Sequence, residues 1–304
     1  MDRRTFLKNL AITGAVLPLL KSQVLFGAEG KDAPLVRFGM VTDLHYADID
    51  MGPCLPPVGD RYYRESCTKL KEAVDAMNVV KPDFMIELGD FKDMTRDRAG
   101  TLACLDRIES VFAGFNGDRY HVLGNHDFDC ITQEDYLAHV RNAGQAKTLP
   151  NYAFEKNGVT FIVLDACYDS KMRHYSCSNP WDDANVPPEE LAWLERELAK
   201  AKGPAIVFCH QRLDTRAWEK HEVKNAAAVR MILERSGKVK AVFTGHEHFG
   251  GADFRGGIVY YSLRALAVGT GADENSYAVA SLYPNGTLCV KGYRKAETAR
   301  WPRH

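Results

Sequence analysis

Residues 35–45 read LVRFGMVTDLH. The first seven are an apolar, β-branched and aromatic run of strand length. The run ends in Thr42 and an Asp43-x-His45 pair, whose alternate side chains face one side of an extended segment. The same grammar recurs along the chain. FMIEL at 84–88 leads into Gly89-Asp90-Phe91-Lys92-Asp93, and YHVL at 120–123 leads into Gly124-Asn125-His126-Asp127. AIVF at 205–208 leads into Cys209-His210, and VKAVF at 239–243 leads into Thr244-Gly245-His246-Glu247-His248. Each predicted strand therefore ends in Asp, Asn or His. Ligands of α/β sheets bind outside the carboxyl ends of strands, so these clusters are expected to converge on one rim.

Working outward, TFIVL at 160–164 and GIVYY at 257–261 are further strands. Residues 277–283 and 287–293 flank Pro284-Asn285-Gly286 and read as a β-hairpin, because Asn-Gly favours a tight turn. Helical spacing appears between the strands. Asp60 is the expected N-cap of a helix through Tyr63, Leu70, Ala73 and Met77. Ala103, Leu105, Ile108 and Phe112 mark a second helix. Pro187-Pro188-Glu189-Glu190 opens a third, and residues 225–233 form a fourth. Strands alternating with helices imply crossover units. The expectation is one α/β domain over 29–304, with two sheets between helical layers.

The composition narrows the function. Of 304 residues, 45% are hydrophobic, and 39 Lys+Arg against 40 Asp+Glu give a net charge of −1. A nucleic-acid binder working by bulk electrostatics is excluded on that balance, and no nucleic-acid partner is expected. No window after residue 30 approaches the roughly 18 apolar residues that span a bilayer. Arg3-Arg4-Thr5-Phe6-Leu7-Lys8 followed by the apolar run 10–20 has the form of a twin-arginine export signal. Residues 1–28 are therefore expected to be removed, with the export machinery as partner and the periplasm or exterior as destination. Cys104, Cys167, Cys209 and Cys289 fall in apolar contexts and read as core. Cys54, Cys67, Cys130 and Cys177 fall in polar or loop-like contexts, and their connectivity is not readable from spacing.

The strand-end residues form a narrow chemical set. Asp43, His45, Asp90, Asn125, His210, His246 and His248 are oxygen and nitrogen donors suited to Mn, Fe or Zn. They are too many for one tetrahedral ion and enough for two divalent ions sharing a carboxylate. Gly89, Gly124 and Gly245 permit sharp turns and close backbone approach before the polar residues. Any one motif alone is common in proteins without a site; the ordered series is specific.

That series resembles the calcineurin-like metallophosphoesterase family over about residues 35–295. The resemblance implies a four-layer αββα sandwich with two mixed sheets. It implies that Asp43, His45 and His248 hold one ion, that Asn125, His210 and His246 hold the other, and that Asp90 bridges them. It further implies that His126 faces the scissile phosphate and assists the leaving group, with Asp127 or another acceptor orienting its ring. A phosphodiester or pyrophosphate bond of a nucleotide-like small molecule would then be hydrolysed by a hydroxide held between the ions. Tyr46-Ala47-Asp48, Arg61-Tyr62-Tyr63-Arg64-Glu65-Ser66 and Gly250-Gly251 resemble, more narrowly, the manganese-dependent ADP-ribose/CDP-alcohol diphosphatase branch. His45 departs from that branch, which carries Gln there, and follows the wider family. Arg61, Tyr62, Tyr63 and Arg64 follow the first motif, and of these Tyr62 and Arg64 are the chosen candidate substrate contacts, by stacking and by phosphate binding. His174 and Trp181, in the polar segment 168–186, are candidates for a lid. Asp93 and Asp127 are expected to orient ligands. Two other readings stay open: a phosphomonoesterase on the same site, and a non-catalytic binding module of the same fold.

Overall fold

Alternate side chains of each strand enter different cores, and this builds the layers. The computed structural model describes residues 33–52, 59–177, 179–216 and 219–302. The expected export signal at 1–28, Cys54 and His304 lie outside the described residues. β1 (Val36–Val41) sends Val36, Phe38 and Met40 to one side and Val41 to the other. β2 (Phe84–Glu87) divides Phe84 and Ile86 from Met85, and β5 (Val159–Val163) divides Phe161 and Val163 from Ile162. The shared side is the core between two sheets. Its centre is Phe38, stacked on Phe84 at 5.2 Å and edge-on to Phe161, Phe208 and Phe243 at 5.6, 5.6 and 5.3 Å. Such pairs add about 0.5–1.5 kcal/mol each beyond their buried area.

The first sheet has the order β12-β11-β10-β1-β2-β3, with β3 at Asp118–His121, β10 at Ser276–Leu282, β11 at Leu288–Arg294 and β12 at Ala299–Trp301. The second has the order β4-β5-β6-β7-β9-β8, with β4 at Tyr152–Lys156, β6 at Ala205–Phe208, β7 at Val239–Thr244, β8 at Gly251–Arg255 and β9 at Ile258–Ser262. Both are mixed. β1, β2 and β3 run parallel, as do β5, β6, β7 and β9, while β10 and β4 pair antiparallel.

Helices cover the outer faces. α1 (Ser66–Val80), α2 (Arg98–Phe112) and the short α3 (Gln133–His139) pack Leu70, Met77, Leu105, Ile108 and Tyr136 against Val41, Met85 and Val279. α4 (Pro188–Lys200) and α5 (Ala226–Ser236) pack Leu194, Leu198, Val229 and Leu233 against Ile162, Val207 and Val242. A side chain at Gly39 in β1 would stand 2.7 Å from Met77 Sδ, so α1 lies directly on that strand. The result is the αββα sandwich, and the described residues from Pro34 onward form one compact unit. No helix among the described residues is long and apolar enough to cross a membrane.

Several local expectations shift. Asp60 does not cap a helix: its carbonyl accepts from Gly269, a 3-10 turn occupies Tyr63–Glu65, and α1 begins at Ser66. β3 starts before Tyr120, at Asp118. β8 and β12 are edge strands without an alternating apolar pattern. Cys104, Cys167, Cys209 and Cys289 are buried.

Candidate metal centre

The strand-end clusters follow β1, β2, β3, β6 and β7, and they meet where the carboxyl ends of the two sheets face each other. Backbone bonds fasten the first two loops together: Asp43 N–H donates to Gly89 O at 3.0 Å and His45 N–H to Asp90 O at 2.8 Å. Leu44 between them is fully buried in the outer core. Asp43, His45, Asp90 and His246 all adopt positive φ, at 50°, 47°, 55° and 63°. That conformation is unusual outside glycine and persists only when its surroundings over-determine it.

Glycines make the approach possible. Gly89 has φ +96°, and a Cβ there would stand 2.5 Å from His210 Nδ1. A Cβ at Gly124 would collide with Asp90, and one at Gly245 with Thr42 and Asp43. Asp127 then fixes the second loop: its two oxygens accept from the backbone N–H of Gly124, Asp90, Phe91 and Lys92 at 2.8–3.4 Å.

The structure brings the donors into two adjoining sets. Asp43, His45 and His248 each offer an atom within 4.8 Å of the others, and so do Asp90, His210 and His246. In the first set His45 Nε2 and His248 Nε2 stand 3.1 Å apart, with Asp43 Oδ1 3.2 Å from His248 Nε2. Asp90 joins the sets: its Oδ2 is 3.1 Å from His210 Nε2 and 3.6 Å from His45 Nε2. Asn125 lies in the 3-10 turn Asn125–Phe128 between Gly124 and His126.

The outer partners fix the ring orientations. His210 Nδ1–H donates to Leu88 O at 2.7 Å, and His45 Nδ1–H donates to Asp93 Oδ2 at 3.1 Å. Both assignments leave the Nε2 lone pair facing inward. Burial opposes the charge on Asp43 and Asp90, but the imidazoles of His248 and His45 hold the first well below the usual carboxylate range. His210, His126 and His45 do the same for the second. Burial also works against charge on His210 while Asp90 favours it, so Nε2 takes either a proton or a cation beside that carboxylate. His246 is pushed well down by burial and by His210 and His221 beside it.

Whether cations fit this cage is answered by what the protein leaves unmade. Asn125 Oδ1, His210 Nε2 and His246 Nε2 are buried without a hydrogen-bond partner. His210 Nε2 has the carboxylate oxygen Asp90 Oδ2 at 3.1 Å. Orphaned buried acceptors cost about 1–3 kcal/mol each, and here they converge with carboxylates. Donor separations of 3.1–3.6 Å suit neighbours around a cation with bonds of about 2.0–2.2 Å. The donor set fits two divalent ions.

His126 stands beside the cage. Its ring is 4.9 Å from that of His45, its backbone N–H donates to Asp90 Oδ1 at 2.8 Å, and its side chain keeps 27% exposure. The acceptor that orients it is Asp129, whose Oδ2 is 2.6 Å from Nδ1; Asp127 serves the backbone instead. Burial works against its charge, but Asp93, Asp90 and Asp129 hold its pKa up at about 9.

The substrate-side candidates fall in different surroundings. Arg64 is exposed and braces the loop before it, through Asp48 at 2.7 Å and through Asp50. Tyr62 is half-buried and donates its N–H to Ala267 O at 2.8 Å. The arginine that reaches the centre is Arg61, 3.2 Å from His45 Nδ1 and 3.4 Å from Asp93 Oδ2. His174 is tied to Asp165 at 2.9 Å and to Gln133 at 2.8 Å, under the turn of His126. Trp181 lies beside the centre, 5.3 Å from the His221 ring and 6.0 Å from that of His246. His221 packs 5.1 Å from His246.

A two-sheet sandwich whose strand ends gather these donors into adjoining sets defines a class of hydrolases that work on phosphate bonds through paired ions. Residues 36–250 match the family model for calcineurin-like phosphoesterases, and the chain belongs to that family. Its members' chemistry makes it a hydrolase of phosphoester or phosphoanhydride bonds with a dinuclear metal centre. It is 36% identical over 276 residues to a manganese-dependent ADP-ribose/CDP-alcohol diphosphatase of Xenopus tropicalis, covering 72% of this chain and 80% of that protein. With the diphosphatase of the same name from Oryza sativa subsp. japonica it shares 26% identity over 316 residues, 87% of this chain and 94% of that one. In fold it is similar to a dimetal phosphatase from Danio rerio, with a TM-score of 0.79 at 22% identity over 88% of this chain and 99% of that chain.

Proposed function

We propose that this enzyme cleaves a pyrophosphate bond in a nucleotide-linked small molecule of the ADP-ribose or CDP-alcohol type, with manganese in the centre. The names of the relatives support the substrate class and the metal. The observation that carries the hydrolytic reading is Asp90 Oδ2, shared between His45 Nε2 at 3.6 Å and His210 Nε2 at 3.1 Å. In this reading Asp43, His45 and His248 hold one ion, Asn125, His210 and His246 hold the other, and Asp90 bridges them.

A pair of divalent ions, when bound, activates water and offsets charge on the phosphoryl oxygens. The protein's own part is positional and protonic. Asp93 holds His45 and Leu88 O holds His210, each in the tautomer that presents Nε2. Asp129 keeps a proton on His126 Nδ1 and stabilises the imidazolium, so that Nε2–H is available to the leaving oxygen. Arg61, beside His45 and Asp93, adds a positive charge next to the phosphate position.

The test is a panel of ADP-ribose, CDP-choline, bis-p-nitrophenyl phosphate and p-nitrophenyl phosphate, assayed with manganese and after chelation. The pyrophosphates should be cleaved fastest, and only with metal. A preference for p-nitrophenyl phosphate would favour the phosphomonoesterase, and turnover surviving complete chelation would overturn the centre. We also propose that residues 1–28 direct the folded, loaded protein out of the cytoplasm. Replacing Arg3 and Arg4 by Lys should retain it there on cell fractionation.

A further inference from the structure

We propose that Cys130 and Cys177 form a disulfide that pins the turn of His126 and Asp129 to the segment that follows β5. The backbone already holds the two residues side by side. Cys130 N–H donates to Cys177 O at 3.2 Å, Cys177 N–H donates to Ile131 O at 3.2 Å, and Asp129 and Cys177 form an isolated β-bridge. The backbone bond from Cys130 N–H to Cys177 O holds the two Cα atoms within about 7 Å, the limit for a disulfide. Both adopt positive φ, 62° at Cys130 and 63° at Cys177. Cys130 Sγ lies 3.7 Å from Thr95 O, and Cys177 Sγ lies 3.7 Å from Ser176 Oγ. Both are thiols in this structure, Cys130 half-buried and Cys177 exposed, so an oxidant can reach them. The other described cysteines are buried in the cores or, in the case of Cys67, seated in α1.

The two thiols lose two protons and two electrons, an Sγ–Sγ bond forms, and a small-molecule disulfide such as glutathione disulfide is reduced to two thiols. The compartment rests on the proposed export, since such bonds persist outside the cytoplasm; the bond itself does not depend on the hydrolytic reading. Its place gives it a role. Cys130 directly follows Asp129, which holds His126 Nδ1 at 2.6 Å.

The experiment uses the whole purified protein in a glutathione redox buffer. Oxidation should lower the intact mass by about 2 Da per bond, and a non-reducing peptide map should join the Cys130 peptide to the Cys177 peptide. That link should be missing in C130S and in C177S. Reduction should lower the wild-type Tm by about 5 °C, given the long loop that is closed, and should leave the doubly substituted C130S/C177S protein unmoved. Two results would overturn the assignment in a wild-type protein that remains folded by circular dichroism. One is both thiols still open to alkylation after oxidation; the other is both carrying glutathione or other partners instead of each other.

Discussion

The backbone N–H of His126 donates to Asp90 Oδ1 at 2.8 Å, and that bond decides how Asp90 faces the centre. Its second oxygen is left to His210 Nε2 and His45 Nε2, at 3.1 and 3.6 Å. One carboxylate therefore ties the proposed proton donor to both ion positions.

Asp90→Asn keeps an oxygen for His126 but turns an N–H₂ toward the imidazole lone pairs. Turnover should fall by more than the roughly 10²–10³-fold that one transition-state hydrogen bond is worth. Metal content should fall with it. Elemental analysis that found two ions still bound to the variant would contradict a bridging role.

His126→Ala should lower kcat by about 10²–10⁴-fold while metal content stays at the wild-type level. Asp129→Asn should cost less, about 10–100-fold, as loss of an orienting partner does. The pH profile separates proton transfer from packing. His126 is held near 9 by Asp93, Asp90 and Asp129, so it carries its proton at neutral pH and loses it on the alkaline side. Bound cations counter the pull of Asp90, which brings that limb below pH 9. The limb should vanish in His126→Ala and move to lower pH in Asp129→Asn.

Gly245→Ala places a methyl group against Thr42 and Asp43. Overpacking of this kind costs about 1–3 kcal/mol, and here it displaces a donor. The rise in Tm on adding manganese should be abolished. A variant that still gains stability from the ion would show that the loop has room to move.

His121 links stability to pH away from the centre. It is buried between Glu87 at 2.9 Å and Glu109 at 3.2 Å. Burial opposes its charge, but Glu109 and Glu87 raise its pKa to about 9. A raised histidine stabilises the fold fully below its unfolded value near 6.5 and loses that contribution as pH rises through about 9. The whole effect is on the order of 3 kcal/mol. Denaturant midpoints should therefore fall between pH 7 and 10, and His121→Asn should flatten that slope.

Much of the site was legible because its donors lie next to strands with strong apolar patterns. Asp43, His45, Asp90, Asn125, His210, His246 and His248 each follow a run that reads as a strand, and parallel strands put their carboxyl ends on one side. What stayed hidden depends on packing between distant segments. Arg61 and Arg64 flank the same Tyr62-Tyr63 pair, and it is the pairing of Arg61 with Gly52 and Val268 that sets it apart. Asp129 and Asp127 are equally close to His126 in sequence; the 3-10 turn at Asn125–Phe128 sends one to the ring and the other to the backbone. β8 and β12 are held by their neighbours and lack the apolar alternation that announces a strand. Trp181 sits in a polar stretch that says nothing of His221 or His246.

The cage draws on both sheets, and this bears on how the protein comes into being. Asp43, His45, Asp90 and Asn125 belong to the first half of the chain, and His210, His246 and His248 emerge from the ribosome only after β6 has begun. In the proposed assignment, a nascent chain paused before that strand would own part of each coordination sphere and the whole of neither. Tight retention of the ions would then report that the chain has been made past His248 and that the two sheets have docked.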